Sequence, residues 1–155
     1  MIVLTHPTYG NIETACVSFI QQLDAKGIRP TKIVALSRGG LMLGVILSHN
    51  LSVPMVPVQY SSKAGKGDDK NHTNELPEIY DEVILVVDDI ADSGHSLEEV
   101  CKFYKGGGVL GEFKNEVFSA SMYLKEGSVH SPTVHWHHLK KDGPFIHFPW
   151  ERHLV

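Results

Sequence analysis

The sequence predicts an α/β domain built on a parallel sheet, and three observations lead there. Val83, Ile84, Leu85, Val86 and Val87 form an unbroken aliphatic and β-branched run, the pattern of a strand buried on both faces. That run passes through a short polar turn into a helical segment that opens at Leu97. A second strand–turn–helix unit occupies residues 32–50.

The chain has 155 residues, which suits one domain, 1–155, with a real core. A hydrophobic content of 42% is ordinary for a soluble globule. A net charge of −4 with no basic stripe argues against nucleic acid as a partner. Cys16 and Cys101 are too few for a disulfide framework and fit a reducing compartment, so a cytoplasmic location is expected. The N-terminal apolar run is too short for a signal peptide, and no stretch reaches the roughly eighteen apolar residues of a membrane span.

In residues 11–26, Ile12, Ala15, Cys16, Phe19, Ile20 and Leu23 recur at helical spacing, and Gly27 follows as a stop. Residues 32–36 read as a short buried strand and 41–50 as a helix. Between them, Ser37, Arg38, Gly39 and Gly40 form a turn. Its glycines let backbone approach a ligand closely, and the forked guanidinium of Arg38 suits phosphate oxygens. Residues 53–59 read as a strand, and Pro54 and Pro57 point to an edge position or a short strand. The polar tract beyond it, with Lys63, Lys66 and Lys70, is long for a connector and predicts a lid at about 60–78.

The central run ends on two adjacent carboxylates, Asp88 and Asp89, and Asp92 follows three residues later. Ser93, Gly94, His95 and Ser96 lead into the helix, and Ser96 with Glu99 has the spacing of a capping box. Free N–H groups and the helix dipole at such a junction favour a phosphate. Carboxylates beside it would repel a bare anion. They suit a ligand that also brings hydroxyls, a metal ion or developing positive charge. A sugar phosphate passing through an oxocarbenium ion brings hydroxyls and positive charge together.

Residues 97–104 continue that helix and Gly106, Gly107 and Gly108 end it. Residues 117–124 alternate as a strand that ends at Lys125, within reach of a ligand at the strand's carboxyl end. Residues 132–138 are a further strand. His135 and His137 share one face of it, but no Cys or acid at zinc-finger spacing accompanies them, so they read as surface histidines. The tail, 142–153, is aromatic and proline-rich without regular periodicity.

The stretch from Ile84 to Ser96 resembles the phosphoribosyl-pyrophosphate (PRPP) motif of type I phosphoribosyltransferases: apolar residues, two acids, two aliphatic residues, an acid, then hydroxyl, Gly, any residue and hydroxyl. Ala91 departs from it, standing where the family has a larger aliphatic side chain. Ser37–Gly40 resembles the pyrophosphate-binding turn of the xanthine-guanine branch. The tail resembles that branch's purine-binding end, with Phe145 at the stacking place, Ile146 after it, and Pro149, Trp150 and Glu151 as its Pro-Trp-acid triplet. The bacterial enzyme typically has Trp where Phe145 stands.

The resemblance implies a Rossmann-like fold with a central, mostly parallel sheet flanked by helices. It also implies a small hood made from the chain termini, with its base-recognition part at about 126–155. The implied reaction transfers ribose 5-phosphate from PRPP to a 6-oxopurine and releases pyrophosphate, with Mg²⁺ as cofactor. Asp88 and Asp89 would hold the ribose hydroxyls, Asp89 also the metal. Ser93, Gly94, His95 and Ser96 would hold the 5′-phosphate, and Ser37, Arg38, Gly39 and Gly40 the pyrophosphate. Asp92 would be the general base, and Lys125, Phe145, Ile146 and Glu151 would meet the purine. A homodimer or homotetramer is implied as well. Competing readings are transfer to another base, pyrimidine or adenine, and a non-catalytic PRPP- or nucleotide-binding regulator on the same fold. A phosphoacceptor receiver needs an acid pair after its first strand, where this chain has Thr5 and His6.

Overall fold

The computed structural model describes residues 3–64, 73–107 and 110–154. In chain order these hold α1 (Tyr9–Ala25), β1 (Lys32–Ser37), α2 (Leu41–Leu51), β2 (Met55–Gln59), β3 (Val83–Ala91), α3 (His95–Gly106), β4 (Glu116–Lys125), β5 (Val134–Leu139) and a 3₁₀ turn at Pro149–Glu151. The strands form one sheet in the order β2-β1-β3-β4-β5, parallel at every pairing. All strand carboxyl ends therefore open on one side, where such sheets bind ligands.

β3 is the middle strand and explains its own composition. Leu85 and Val87 pack in the cluster shared with α1 and α2, through Phe19, Leu43 and Leu47. Ile84 and Val86 pack on the opposite face with Leu97, Val100 and Tyr104 of α3. A strand covered by helices on both faces has no place for polar alternation. β2 is an edge strand, a position that suits Pro57, which lies opposite Ala35.

Some boundaries differ from expectation. α1 starts at Tyr9, because Thr8 caps it by accepting from Asn11 N while the Asn11 side chain accepts from Thr8 N. Its stop is at Gly27 (φ 69°), and Ile28 N donates back to Leu23 O at 2.9 Å. β3 runs on to Ala91, so Asp88 and Asp89 belong to the strand. The expected capping box at Ser96 and Glu99 does not form. α3 begins at His95 behind Gly94, whose φ of 82° turns the chain, and both residues lie inside the helix. Ser96 Oγ instead accepts from Ser62 N, and Glu99 accepts from the Tyr60 hydroxyl.

β5 joins the main sheet, so 134–139 is not part of a separate hood. What closes over the sheet end is residues 140–154 with the N-terminal segment. His147 N donates to Thr5 O at 2.8 Å, His6 stacks on His147 at 4.7 Å, and the Tyr123 hydroxyl donates to Leu4 O at 2.6 Å. Among the described residues no helix is long and apolar enough to cross a membrane.

Asn115 is a buried polar hub under this sheet. Its amide donates to Ile79 O and Tyr104 O, both at 2.8 Å, and its Oδ1 accepts from Glu82 N at 2.9 Å. Asn115→Leu leaves three backbone groups without partners and is expected to cost about 3 kcal/mol or more at roughly 1–3 kcal/mol per orphaned group. Urea unfolding measures that loss, and a loss below about 1 kcal/mol would show that water replaces the amide.

Candidate active site

The β1–α2 turn lies directly against the end of β3. A Cβ on Gly39 would sit 2.2 Å from Asp89 Oδ2, and one on Gly40 would sit 2.3 Å from Val87 O. Only glycine lets this turn approach the carboxylates so closely. The Ser37–Arg38 peptide is cis. Arg38 and Gly39 line a cleft of 830 Å³ with Asp89, Trp150 and Glu151. Ser37 faces an adjoining cavity of 650 Å³ with Val58, Gln59 and Glu75. The four turn residues thus divide between two spaces, and buried Gly40 supplies close packing.

Asp88 and Asp89 sit side by side at the carboxyl end of the central strand. Asp89 N donates to Asp88 Oδ1 at 2.9 Å, and Ile90 N donates to Asp89 Oδ1 at 2.8 Å. Burial, then the neighbouring Asp89 charge, pushes the Asp88 carboxyl well above its ordinary range. Burial also raises Asp89 to about 6, and Glu151 adds to that rise. Among the described residues neither carboxylate has an ion-pair partner. Two adjacent acids without an ion-pair partner among the described residues, Asp89 of them facing the cleft, form a hard-oxygen donor set that fits a divalent ion such as Mg²⁺.

Behind them, Ser93–Ser96 turns into α3. Gly94 supplies no side-chain cap, and the only side-chain partner at the helix start among the described residues is Ser93 Oγ, which accepts from His95 N at a long 3.5 Å, so the first turn can turn its N–H groups to an anion. Ser93 and His95 are exposed and Ser96 is half-buried, while Gly94 lies beneath them.

Register brings the last pair together. Ala91 of β3 lies opposite Leu124 of β4, so Asp92, just past the end of β3, and Lys125, the last residue of β4, come side by side. Lys125 Nζ is 3.2 Å from Asp92 Oδ1. Both line a pocket of 220 Å³ with Asp89, Ile90, Phe145 and Glu151. Phe145 is 74% exposed at this pocket, which leaves its ring available for stacking. Ile146 contributes to the same wall but is anchored in the core. Glu151 accepts from Phe148 N at 3.3 Å, and with Asp89 it borders both this pocket and the larger cleft. A planar ligand in the pocket and an anion in the cleft would meet at Asp89.

A family model described as the phosphoribosyl transferase domain matches residues 8–154. The chain belongs to that family. It is 30% identical over 126 residues to a xanthine-guanine phosphoribosyltransferase of Idiomarina loihiensis, covering 79% of this chain and 71% of the relative. Among solved structures, a purine phosphoribosyltransferase from Pyrococcus horikoshii superposes with a TM-score of 0.73 at 25% identity, over 97% of this chain and 95% of that one. The xanthine-guanine-hypoxanthine phosphoribosyltransferase of Helicobacter pylori gives 0.72 at 26% identity, over 94% and 90%. The chain is accordingly a transferase with the type I phosphoribosyltransferase fold.

In this phosphoribosyltransferase the sequence reading singled out Asp89, Asp92, Arg38, Gly39, Phe145, Ile146 and Glu151, all of which line the pocket or the larger cleft. It did not find Lys140, Gly143 and Pro144, which complete the pocket from a loop with no periodic signal. Nor did it foresee that Tyr60 and Ser62, where the expected lid begins, hydrogen-bond to Glu99 and Ser96 of α3. Of the lid lysines, Lys66 and Lys70 lie outside the described residues. His135 and His137, read as surface residues, are half-buried in β5, and desolvation lowers both pKa values. Among the described residues no group of three or more His, Cys, Asp or Glu converges as a metal site.

Proposed function

We propose that this phosphoribosyltransferase uses PRPP and a 6-oxopurine (guanine, xanthine or hypoxanthine) and makes the nucleoside monophosphate and pyrophosphate, a purine-salvage reaction. The observation that carries the proposal is the Asp92–Lys125 pair, 3.2 Å apart at the base-sized pocket. A 6-oxopurine offers an acceptor, O6, beside a donor, N7–H. An ammonium beside a carboxylate complements that edge. Adenine would set an amino donor against the Lys125 ammonium instead. The names of the Idiomarina, Pyrococcus and Helicobacter relatives support the same substrate class.

In this reading the purine stacks on Phe145 beside Ile146 and Glu151. The pair from N9 forms the bond to C1′, the C1′–O bond breaks with its electrons leaving on pyrophosphate, and Asp92 takes the N7 proton. Asp88 and Asp89 hold the ribose hydroxyls, directly or through Mg²⁺. A Mg²⁺ ion, when bound, would be held by Asp89 and would supply charge neutralisation for the departing pyrophosphate. Ser37–Gly40, with Arg38 as the cation, holds the pyrophosphate end, and Ser93–Ser96 holds the 5′-phosphate.

Pyrophosphate release with PRPP, Mg²⁺ and guanine, xanthine, hypoxanthine, adenine or uracil tests the assignment. The three oxopurines are expected to exceed adenine and uracil by about 10² or more in kcat/KM. Lys125→Met is expected to bring guanine and adenine within about tenfold, by removing one to two hydrogen bonds of discrimination. Turnover favouring adenine or uracil reassigns the base. Absence of release with every base removes catalysis.

A further inference from the structure

We infer that His130 is a positioning residue for the 5′-phosphate cradle, acting through Glu98 and Ser119; the inference rests on residues 93–96 being that cradle. His130 lies in the connection between β4 and β5 and bolts two elements together. Its Nδ1 is 2.6 Å from Glu98 Oε2 in the first turns of α3, and its Nε2 is 2.7 Å from Ser119 Oγ on β4. A carboxylate only accepts, so Nδ1 carries the proton toward Glu98. Nε2 pairs with the Ser119 hydroxyl, which can donate or accept. Thr133 N donates to Ser119 Oγ at 3.3 Å, and Lys102 Nζ lies 3.4 Å from Glu98 Oε1.

The same connection forms the floor of the phosphate turn. Val129 N donates to Ser93 O at 2.8 Å. A Cβ on Gly94 would sit 2.2 Å from Ser128 Oγ and 2.8 Å from His130 N, so backbone and floor are in direct contact. Because Gly94 offers no side-chain cap, the entry to α3 is fixed from below by Val129 and from one turn onward by Glu98. The phosphate-binding strength of a helix terminus depends on where its first N–H groups point, and these two anchors set that direction.

Serine, histidine and carboxylate in hydrogen-bonded sequence also form the constellation of a covalent nucleophile. Here that reading fails on access. Ser119 is 2% exposed, with its oxygen engaged by Thr133 and His130, so no substrate carbonyl or phosphoryl group reaches it. The network orients; it does not attack.

Calorimetric titration with ribose 5-phosphate and, separately, with magnesium pyrophosphate tests this, alongside steady-state kinetics on the full chain. His130→Ala is expected to weaken ribose 5-phosphate and raise the KM for PRPP by about tenfold or more. The kcat at saturating PRPP stays within about threefold, and pyrophosphate affinity within about twofold. Glu98→Ala on the exposed side of the network reproduces the loss, and Glu98→Gln, whose amide oxygen still accepts from Nδ1, restores most of it. Unchanged ribose 5-phosphate affinity in both alanine variants overturns the inference. So does an equal loss for both ligands with a lowered Tm, which marks a merely structural role. If the unaltered protein binds pyrophosphate but not ribose 5-phosphate, the cradle assignment itself is wrong and the inference falls with it.

Discussion

Asp92→Asn is expected to keep PRPP binding and to lose about 10² to 10⁴ of kcat with guanine, the range a positioned general base contributes. The side chain stays nearly isosteric, so the pocket wall is retained. What disappears is the carboxylate charge 3.2 Å from Lys125. The same substitution leaves Lys125 without its anion, so a drop in turnover alone does not separate a base from a partner of the lysine. An 8-aza-6-oxopurine does separate them. Its extra ring nitrogen acidifies the ring N–H, so it needs less help from a base, and the variant recovers turnover with it. Stopped-flow or steady-state kinetics with both bases measure the contrast. Unchanged kcat with guanine removes Asp92 from the mechanism. An equal loss with both bases assigns it to holding Lys125.

Asp89→Asn has the second large effect, and it runs toward greater stability. With the native carboxyl at about 6 against an ordinary 3.8, the folded protein keeps a proton that the unfolded chain has already released between those values. Unfolding free energy therefore falls as pH rises through that window, and the whole penalty is present above about pH 6. Roughly two pKa units at about 1.4 kcal/mol each give a penalty on the order of 2–3 kcal/mol for this half-buried group. Without PRPP or metal, Asp89→Asn at pH 7.5 is expected to raise Tm by about 4–12 °C, from roughly 2–4 °C per kcal/mol at this chain length. The gain vanishes below about pH 4, where both states are protonated. Turnover falls in the same variant. Scanning calorimetry from pH 4 to 8 reads the crossover, and a variant no more stable than the parent at pH 7.5 shows that the paired acids carry no strain. Sites that hold charge in readiness for a ligand commonly lower stability in this way.

The sequence disclosed most of the sheet because β3 must be apolar on both faces and its neighbours carry short apolar runs of their own. It disclosed the cleft residues because glycines and acids at a strand end have few structural uses. It misjudged where β3 stops, since adjacent aspartates ordinarily leave a strand, whereas here Ile90 and Ala91 continue the ladder beside Tyr123 and Leu124. Ser96 and Glu99 had capping-box spacing, yet Gly94 in a left-handed conformation starts the helix before Ser96. Lys125 was legible as a strand-end lysine, but its partner was not, because strand register is a long-range property that no local pattern encodes. His130 left no local signal at all: its partners lie 11 and 32 residues away.

That register has a practical reach. Asp92 and Lys125 each follow directly on the last paired rung of the β3–β4 ladder, Ala91 with Leu124, whereas Lys140, Gly143, Pro144 and Phe145 of the pocket wall lie outside any strand or helix. A one-residue insertion or deletion inside β4 would reverse which side chains face the cleft and part the two groups. Under the proposed assignment, redesign for an altered nucleobase belongs in the 140–145 segment, ahead of the core residue Ile146, where lengths and side chains can be exchanged while Asp92 and Lys125 stay in register.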